Sequence, residues 1–385
     1  MLKDLRVARV STVPFFVVTQ LKSQINTLCS NGVSVTIITS DEEFPGQLRQ
    51  FNGANFISVN MARQINIVQD LSSLFKLYKV FKSEKFDIVH STTPKAGLLC
   101  SIAARLAGVP VRLHTFTGQP WVTMSGVKKE ILKLCDKIIA KLNTHCYADS
   151  LTQRDFLVGS KVVKKENISV LGLGSLSGVD LARFDKRKYS PLVISQLKND
   201  LGIPENGKVI LFVGRVTPEK GIRELIDAFV SVSATDDLIH LLLVGPTEDN
   251  GSDMFSSIEN SPIWKKVHNV GFSDEPEKFM AAADILCLPS YREGFGTVVI
   301  EAAAMGIPTV GTSIYGLSDA VVDGVTGRLV PSMDSVALGR VLREVLGNSA
   351  LMRDMGEKAS ARAIHEFDSI KLSNLMMDEY RKFSG

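Results

Sequence analysis

The apolar residues of this chain fall into short continuous runs, separated by segments in which they recur every three or four positions. In the first half these runs are VARVSTV, VSVTIIT, FDIVHST and PVRLHTFT. A second series begins after Pro204, with KVILFVGRV, LIHLLLVG, ADILCLPS and PTVGTS. Runs of β-branched residues that alternate with helical periods are typical of parallel strands buried on both faces and joined by helices. The pattern predicts an α/β fold with two doubly wound, Rossmann-like domains in tandem.

The length of the chain agrees with two domains. Single hydrophobic cores stop growing at about 250 to 300 residues, and this chain has 385. A polar, proline-bearing stretch, VDLARFDKRKYSPL, lies near residues 180–200 and predicts the junction. We therefore predict an N-terminal domain over residues 1–185 and a C-terminal domain over residues 186–366.

The two halves differ in charge. Residues 1–180 hold 22 Lys and Arg against 13 Asp and Glu, a net +9, which leaves 22 against 28, a net −6, for residues 181–385. A basic half suits an anionic partner such as a diphosphate or a membrane surface. Nucleic acid is not an expected partner, because the chain has no ribonucleoprotein pattern and no zinc-finger spacing.

The remaining composition predicts a cytoplasmic protein. The opening MLKDLRVARVSTVPFFVV mixes charges with apolar residues, which favours a first strand over a signal peptide. No stretch reaches the roughly 18 uncharged apolar residues of a membrane span. The five cysteines are odd in number and scattered, which favours buried thiols in a reducing compartment.

The strongest chemical signal follows the run ADILCLPS. The segment YREGFGT, residues 291–297, leads into an apolar helix that contains one acid, Glu301. Glycines let a backbone approach a ligand closely, and the free N–H groups at a helix start suit a phosphate. A carboxylate on a buried helix is costly unless a polar group meets it. Taken singly, Glu301 also fits an acid that complements the helix dipole, and Glu293 fits an ordinary loop carboxylate.

Two cations follow the first strand of the second series, in FVGRVTPEKGI, residues 212–222. Arg215 offers a forked contact to phosphate oxygens, and Lys220 offers a point charge. A solvated pair of loop cations is the alternative. We expect no metal site, because the chain has no Asp-x-Asp and its His and Cys residues form no spaced cluster.

Glu293 and Glu301, with seven residues between them, resemble the Glu-x7-Glu motif of retaining glycosyltransferases of the GT-B fold. The resemblance is to the large bacterial family that builds O-antigens, capsules and lipid-linked oligosaccharides. It is specific over about residues 207–330 and general over the first half. It implies that the two domains face each other across a cleft and that a C-terminal helix, residues 367–385, packs back on the first domain.

The resemblance also implies roles for individual residues. A nucleoside diphosphate sugar would bind mainly to the C-terminal domain, and the acceptor to the N-terminal domain. Catalytic roles fall to Glu293 and to His114, which sits where the family has a histidine after a strand, facing the donor sugar. A core or loop histidine is the alternative there, and His90 is a weaker candidate. The implied donor-binding residues are Arg215, Lys220, Gly294, Phe295, Gly296, Thr297, Val298 and Glu301.

One segment departs from the family pattern. Many members carry a glycine-rich loop after the first strand, whereas this chain reads STVPFF at residues 11–16. The difference predicts an acceptor pocket of another shape.

The implied reaction is the transfer of a sugar with retention at the anomeric carbon, without a metal or a cofactor. Family frequency favours a UDP-linked hexose or N-acetylhexosamine as the donor and a polyprenyl-diphosphate-linked saccharide as the acceptor. A sugar-nucleotide epimerase shares this architecture and is the alternative enzyme. A sugar-nucleotide-binding module without activity is a third hypothesis.

The stretch GVKKEILKLCDKIIAKLN, residues 126–143, has the pattern of an amphipathic helix. We expect its lysines on one solvated stripe and its apolar residues on a face that packs on the core. The lysines are Lys129, Lys133, Lys137 and Lys141, and the apolar residues are Ile131, Leu134, Ile138 and Leu142. Each lysine near an anionic leaflet adds about 1 kcal/mol of attraction. We predict peripheral association with the cytoplasmic face of the cell membrane, and an ordinary surface helix is the alternative.

Overall fold

The computed structural model of the chain describes residues 5–41, 45–48, 51–62, 66–248 and 252–384. The chain divides into two compact units. Unit 1 holds residues 1–178 and 369–385, and unit 2 holds residues 179–368. The predicted junctions lay at 185/186 and 366/367. Each unit is an α/β domain with a parallel sheet, so the predicted fold class is confirmed.

Within the described residues, unit 1 contains seven parallel strands. They are β1 Arg6–Val10, β2 Ser34–Thr39, β3 Asn55–Ser58, β4 Ile88–Thr92, β5 Val111–Phe116, β6 His145–Ala148 and β7 Ile168–Val170. Their order across the sheet is β3-β2-β1-β4-β5-β6-β7, so the order reverses between β1 and β4. All five residues of β4 are buried, as expected for a central strand with helices on both faces.

The described helices of unit 1 cover this sheet. They are α1 Pro14–Gln20, α2 Lys22–Ser30, α3 Pro45–Leu48, α4 Ile67–Glu84, α5 Pro94–Ala107, α6 Gly126–Leu142 and α7 Leu151–Gly159. Helices α4, α5 and α6 lie side by side, with α5 in the middle. A short 3₁₀ turn, Pro120–Thr123, precedes α6.

The last helix of the chain, Ser369–Ser384, also belongs to unit 1. It is numbered α15 in chain order and packs on α2, where the hydroxyls of Ser23 and Ser373 lie 3.0 Å apart. The buried guanidinium of Arg9, on β1, donates a 2.6 Å hydrogen bond from Nη1 to the Tyr380 hydroxyl. Hydroxyl pairing and this buried bond fix the last helix to the sheet of unit 1.

Unit 2 contains six parallel strands in its described residues. They are β8 Lys208–Val213, β9 Ile239–Val244, β10 Val267–Gly271, β11 Ile285–Leu288, β12 Thr309–Thr312 and β13 Gly327–Val330. Their order is β10-β9-β8-β11-β12-β13, which reverses between β8 and β11. The described helices are α8 Pro191–Asp200, α9 Ile222–Ser233, α10 Pro276–Ala281, α11 Thr297–Ala304, α12 Leu317–Ala320, α13 Ser335–Leu346 and α14 Ser349–Glu366.

The reversal of strand order decides where a ligand site is expected in unit 2. Connections leave β8 and β11 toward opposite faces of the sheet, so a crevice opens at the carboxyl ends of these two strands. The segments that follow β8 and β11 are the two sequence motifs, residues 212–222 and 291–297. The topology thus brings both motifs to one edge of one sheet.

Candidate active site

The segment after β8 turns sharply at two glycines. Gly214 has φ 151° and Gly221 has φ 70°, both in the region that favours glycine. A Cβ at Gly221 would lie 2.1 Å from the carbonyl oxygen of Pro289, which follows β11. The close approach of these two backbones requires glycine there. It brings Lys220 beside the segment that carries Glu293.

Lys220 and Glu293 form an ion pair at this edge. Lys220 Nζ donates to Glu293 Oε1 at 2.5 Å, and the Ser290 hydroxyl donates to the same oxygen at 2.8 Å. The side chains are 19% and 14% exposed, so water screens the pair only in part. At this edge of the sheet, the partly buried ammonium offers a ligand a positive charge, and the carboxylate offers it a hydrogen-bond acceptor.

Arg215 lies in a second group of charges. Its Nη1 donates to Glu248 at 2.5 Å, and its Nη2 donates to Glu219 at 3.3 Å. Arg292, next to Glu293 in sequence, donates from Nη2 to the same Glu219 oxygen at 3.1 Å. One carboxylate therefore holds two guanidinium groups at the ligand edge.

Glu301 lies on α11, close to another ion pair. It keeps part of its surface exposed, but protein atoms crowd its carboxyl, and this loss of water raises its pKa to about 7. The positive charge of Arg183 lowers that pKa, and the negative charge of Glu277 raises it. Among the described residues, none donates a hydrogen bond to the Glu301 carboxyl, so its oxygens are open to a donor from a ligand.

The other predicted donor-binding residues surround the start of α11. Gly296 has φ 85° and caps the helix, and Thr297 and Val298 form its first two positions. The Phe295 side chain is buried against Phe367, with ring centroids 5.2 Å apart, so only its backbone is left for a ligand. Gly294 comes close to another turn, since its carbonyl oxygen would lie 2.7 Å from a Cβ at Gly316.

His114 differs from its predicted position. It was expected after a strand, but it is an interior residue of β5, which continues to Phe116. Its ring is buried under α5, where a Cβ at Gly97 would lie 2.4 Å from His114 Cε1. Burial lowers its pKa to about 3, and the Ser91 hydroxyl lies 3.0 Å from Nδ1. The ring is therefore neutral and packed in the core.

His90 has a similar environment on β4. Its Nδ1 lies 2.7 Å from the Tyr380 hydroxyl, and its Nε2 lies 2.8 Å from the Thr115 hydroxyl. Burial, together with the charge of Arg9, holds its pKa well below the usual range. Both histidines fill interior positions of unit 1.

The site also contains charged residues that the sequence analysis did not single out. Glu219 and Arg292 lie inside the two motifs, next to Lys220 and Glu293, and proximity to a motif is a usable signal. Glu248 follows β9, and its place after a strand of the second series was a second signal. Arg183 and Glu277, 94 positions apart, carried no sequence signal for their pairing.

Helix α6 exposes the opposite face from the one predicted. Val127, Ile131 and Leu134 are 77%, 55% and 56% exposed. The predicted core stripe is therefore wrong for Ile131 and Leu134. The face that packs on the protein carries Asp136, Ile139 and Ala140.

A polar contact explains this rotation of α6. The Trp121 indole N–H donates to the Asp136 carboxylate at 2.7 Å, which fixes the polar residue inside. Lys129 and Lys133 are half-buried, and the Lys133 ammonium lies 5.5 Å from the centre of the Trp121 ring. The exposed lysines of the helix, Lys128, Lys137 and Lys141, flank the apolar stripe on both sides. An apolar stripe with basic flanks is typical of helices that lie in a membrane interface.

Two general features concern metals and membranes. In the described ranges, no three His, Cys, Asp or Glu side chains are grouped so that they would hold a metal ion. None of the helices seen there combines the length and the hydrophobicity needed to cross a bilayer.

Comparisons with known proteins agree with the geometry of both units. The family model described as "Glycosyl transferases group 1" matches residues 193–362, and the one described as "Glycosyl transferase 4-like domain" matches residues 17–174. A capsular polysaccharide biosynthesis glycosyltransferase, CapM of Staphylococcus aureus, is 30% identical over 354 residues, which cover 91% of this chain and 90% of that protein.

Two further proteins extend the likeness. The UDP-Gal:alpha-D-GlcNAc-diphosphoundecaprenol alpha-1,3-galactosyltransferase of Escherichia coli is 27% identical over 383 residues, 97% of this chain and 93% of that protein. The crystal structure of Anabaena Alr3699/HepE in complex with UDP and glucose has a TM-score of 0.81 at 18% identity. It covers 98% of this chain and 100% of the Anabaena chain, and at that identity it establishes the fold.

Proposed function

This chain belongs to the glycosyl transferases of group 1, enzymes of the GT-B fold that use nucleotide sugars, and we propose that it transfers a UDP-linked hexose or N-acetylhexosamine to a lipid-linked saccharide. The observation that carries the proposal is the pair of Lys220 and Glu293 at the strand reversal of unit 2. The matched families and relatives are glycosyltransferases, which favours transfer over the epimerase alternative.

The donor's diphosphate is proposed to bind between the two motifs of unit 2. Lys220 and Arg215 supply positive charge, and the start of α11 adds the positive end of its helix dipole. These groups stabilise the charge that develops on the leaving diphosphate, which is the largest electrostatic demand of the reaction. A metal ion is then not needed.

Glu293 is proposed to contact the transferred sugar, and Glu301 is proposed to bind the ribose hydroxyls of the nucleotide. In the proposed step the acceptor hydroxyl oxygen bonds to the anomeric carbon on the face that the diphosphate leaves. The bond from that carbon to the phosphate oxygen breaks, and the hydroxyl proton passes to the departing phosphate. This path gives retention without a carboxylate nucleophile. His114 is given no catalytic step in this proposal, because its ring is enclosed by protein atoms. Its proposed role is to support the segment that follows β5.

UDP and a polyprenyl-diphosphate acceptor are proposed by analogy. The E. coli relative is named as a galactosyltransferase that acts on a diphosphoundecaprenol-linked sugar, and the Staphylococcus relative is named for capsular polysaccharide biosynthesis. Their near full-length alignment with this chain supports a role in surface polysaccharide assembly on the cytoplasmic side of the membrane.

Transfer is expected to survive metal removal. We expect label from a UDP-sugar to move to a lipid-linked saccharide at the same rate with and without EDTA, because Lys220 and Arg215 neutralise the leaving group. The measurement is labelled transfer over a panel of UDP-sugars, with a matched reaction that lacks acceptor. Interconversion of the sugar nucleotide without transfer would favour the epimerase. Loss of transfer with EDTA, restored by magnesium or manganese, would contradict the metal-free mechanism.

Membrane association is proposed to bring the acceptor to unit 1. The exposed stripe of α6 supports it, and α4 presents a similar surface in the same helix layer. The exposed apolar residues of α4 are Ile67, Val68, Leu71 and Phe75, followed by the exposed lysines Lys76, Lys79 and Lys82. Apolar stripes beside lysines suit the boundary between anionic headgroups and acyl chains.

Vesicle flotation is expected to separate the charged and apolar parts of α6. Wild-type protein should float with vesicles that contain phosphatidylglycerol, because both parts contribute to binding. A variant with Lys128, Lys137 and Lys141 replaced by Gln should lose binding at low salt. A variant with Ile131→Ser and Leu134→Ser should keep weak binding at low salt and lose it at high salt, where charges are screened.

The control for this test carries two exposed apolar residues of unit 2, changed as Leu192→Ser and Val336→Ser. It should float like wild type. Equal flotation of all variants, or no flotation of wild type at low salt, would contradict the membrane role. Helix α6 would then be an ordinary surface helix.

A further inference from the structure

Two crossed ion pairs join the motif segments of unit 2. Lys220 pairs with Glu293, and the residues that precede them pair in the opposite sense, since Arg292 Nη2 donates to Glu219 Oε1 at 3.1 Å. A backbone hydrogen bond of 2.9 Å, from the Tyr291 N–H to the Glu219 carbonyl oxygen, also joins the segments. Each segment therefore sets one cation and one carboxylate against the opposite charges of the other.

Glu219 also contacts a second guanidinium. Arg215 Nη2 donates to the same oxygen, Glu219 Oε1, at 3.3 Å. A guanidinium is a planar fork of N–H donors that is suited to bind two oxygens at once. Arg292 Nε is buried and has no hydrogen-bond partner among the described residues. Two forked groups thus share one carboxylate oxygen, although a phosphate group would offer them several.

The Glu219 carboxylate is held less tightly than that of Glu293. Its contacts with the two guanidinium groups are longer than the about 2.7 to 2.9 Å of strong charge-assisted hydrogen bonds, whereas Lys220 and Glu293 are 2.5 Å apart. Its side chain is 35% exposed, against 14% for Glu293. Ion pairs of that exposure stabilise a fold only weakly, so Glu219 can move into water at little cost.

The charges at this edge of the sheet balance one another. Three cations are matched by three carboxylates of the described residues, namely Arg215, Lys220 and Arg292 against Glu219, Glu248 and Glu293. A nucleoside diphosphate brings several further negative charges, and like charges placed side by side cost free energy. A diphosphate therefore cannot bind both guanidinium groups while Glu219 accepts their hydrogen bonds.

We propose that Glu219 occupies the place of a donor phosphate: it neutralises Arg215 and Arg292 until a donor binds, and phosphate oxygens then replace its carboxylate on both guanidinium groups. The inference rests on the proposed function, which places the diphosphate between the two motifs. It adds Arg292 to the groups that bind the diphosphate, and it makes Glu219 a competitor of the donor. A ligand must then carry enough negative charge to displace the carboxylate, which favours diphosphates over uncharged nucleosides.

The test compares the affinity of UDP for wild type and for Glu219→Gln, measured by calorimetry on the full chain. Glu219→Gln should bind UDP about fivefold more tightly, because no exposed ion pair has to break on binding. Inorganic pyrophosphate should show the same gain, and uridine, which has no phosphate, should bind both proteins alike. The gain should shrink at high salt, where the charges are screened.

Arg292→Gln tests the added guanidinium. It should weaken the binding of UDP and of pyrophosphate by about tenfold or more, since it removes hydrogen bonds to a charged group. A double variant, with Glu219→Gln and Arg292→Gln, removes both charges of the pair and guards against misfolding of the single variants. It should bind UDP more tightly than Arg292→Gln alone, because Arg215 is still released from its carboxylate.

Glu344→Gln is the matched control. It removes a carboxylate of similar exposure that pairs with Arg328, near the start of β13 and outside both motifs, and it should bind UDP like wild type.

Equal or weaker binding of UDP by Glu219→Gln would overturn the inference, because a carboxylate that only holds the two arginines in place would help the donor to bind. An equal gain for uridine would overturn it as well. Both results leave the proposed function standing. No UDP binding by wild type would overturn the proposed function itself.

Discussion

Replacing Lys220 with alanine is expected to lower kcat/KM for sugar transfer by about 10²- to 10³-fold, the usual cost of removing one group that stabilises developing negative charge. Lys220 is partly buried beside Glu293, so water screens its charge only weakly. In the proposed reaction the departing diphosphate gains charge as the sugar leaves, and Lys220 meets that charge. The measurement is steady-state transfer with a UDP-sugar and a lipid-linked acceptor.

Two controls separate chemistry from folding in this experiment. Lys266→Ala removes a lysine that pairs with Asp237 just before β10, at the opposite edge of the same sheet, and it should leave kcat/KM unchanged. Lys220→Ala with Glu293→Gln removes the pair without leaving a lone carboxylate. Because the two residues contact each other, the double variant should lose less than the product of the single losses. A Lys220→Ala enzyme with normal kcat/KM would mean that another group neutralises the diphosphate.

The place of the site within unit 2 follows from the sequence because strand order and strand ends obey simple rules. Apolar runs identify β8 and β11, and residues just beyond buried parallel strands lie at the ligand edge. Gly221 marks the close approach to Pro289, where a side chain has no room. Strand ends and obligatory glycines depend on the local direction of the chain and on backbone sterics. Both leave a recognisable pattern in the sequence.

The partners of the charged groups did not follow from the sequence. Arg215 pairs with Glu248 across 33 positions, and Arg183 pairs with Glu277 across 94. Such ion pairs depend on how several loops pack together at the edge of the sheet. Neither a hydrophobic period nor a sequence motif predicts that packing. The sequence also placed His114 at a strand end, because the run PVRLHTFT does not reveal where β5 stops.

Helix α6 illustrates another limit. Its period correctly predicts a helix with an apolar stripe and basic residues, but a period does not tell which stripe faces the protein. The buried bond from Trp121 to Asp136 decides the rotation, since an acid that looks exposed in sequence is turned inward. The outcome leaves Ile131 and Leu134 in water and gives the basic half of the chain an apolar surface.

Replacing Glu301 with alanine is expected to weaken UDP binding by roughly 1.5 to 3 kcal/mol, the range for hydrogen bonds to a charged group. This corresponds to about a 10- to 150-fold loss of affinity. The carboxyl accepts no hydrogen bond from the described residues, so a ligand hydroxyl is its natural partner. The measurement is calorimetric titration with UDP at pH 8, where the carboxylate is ionised.

The stability of Glu301→Ala and Glu301→Gln should move in the opposite direction to their affinity. Burial raises the pKa of Glu301 from 4.5 to about 7, so the folded state binds the proton more tightly than the unfolded state does. For an acid, that sign means stability falls as pH rises from the unfolded pKa to the folded one. At pH 8 the ionised group therefore destabilises the free protein, and Glu301→Gln should raise Tm there, with little gain at pH 4. A binding residue is expected to lower the stability of the free protein and to be required for UDP affinity.

Unchanged UDP affinity in Glu301→Ala would show that Glu301 does not bind the nucleotide. A lower Tm in Glu301→Gln would show that Glu301 stabilises the fold instead.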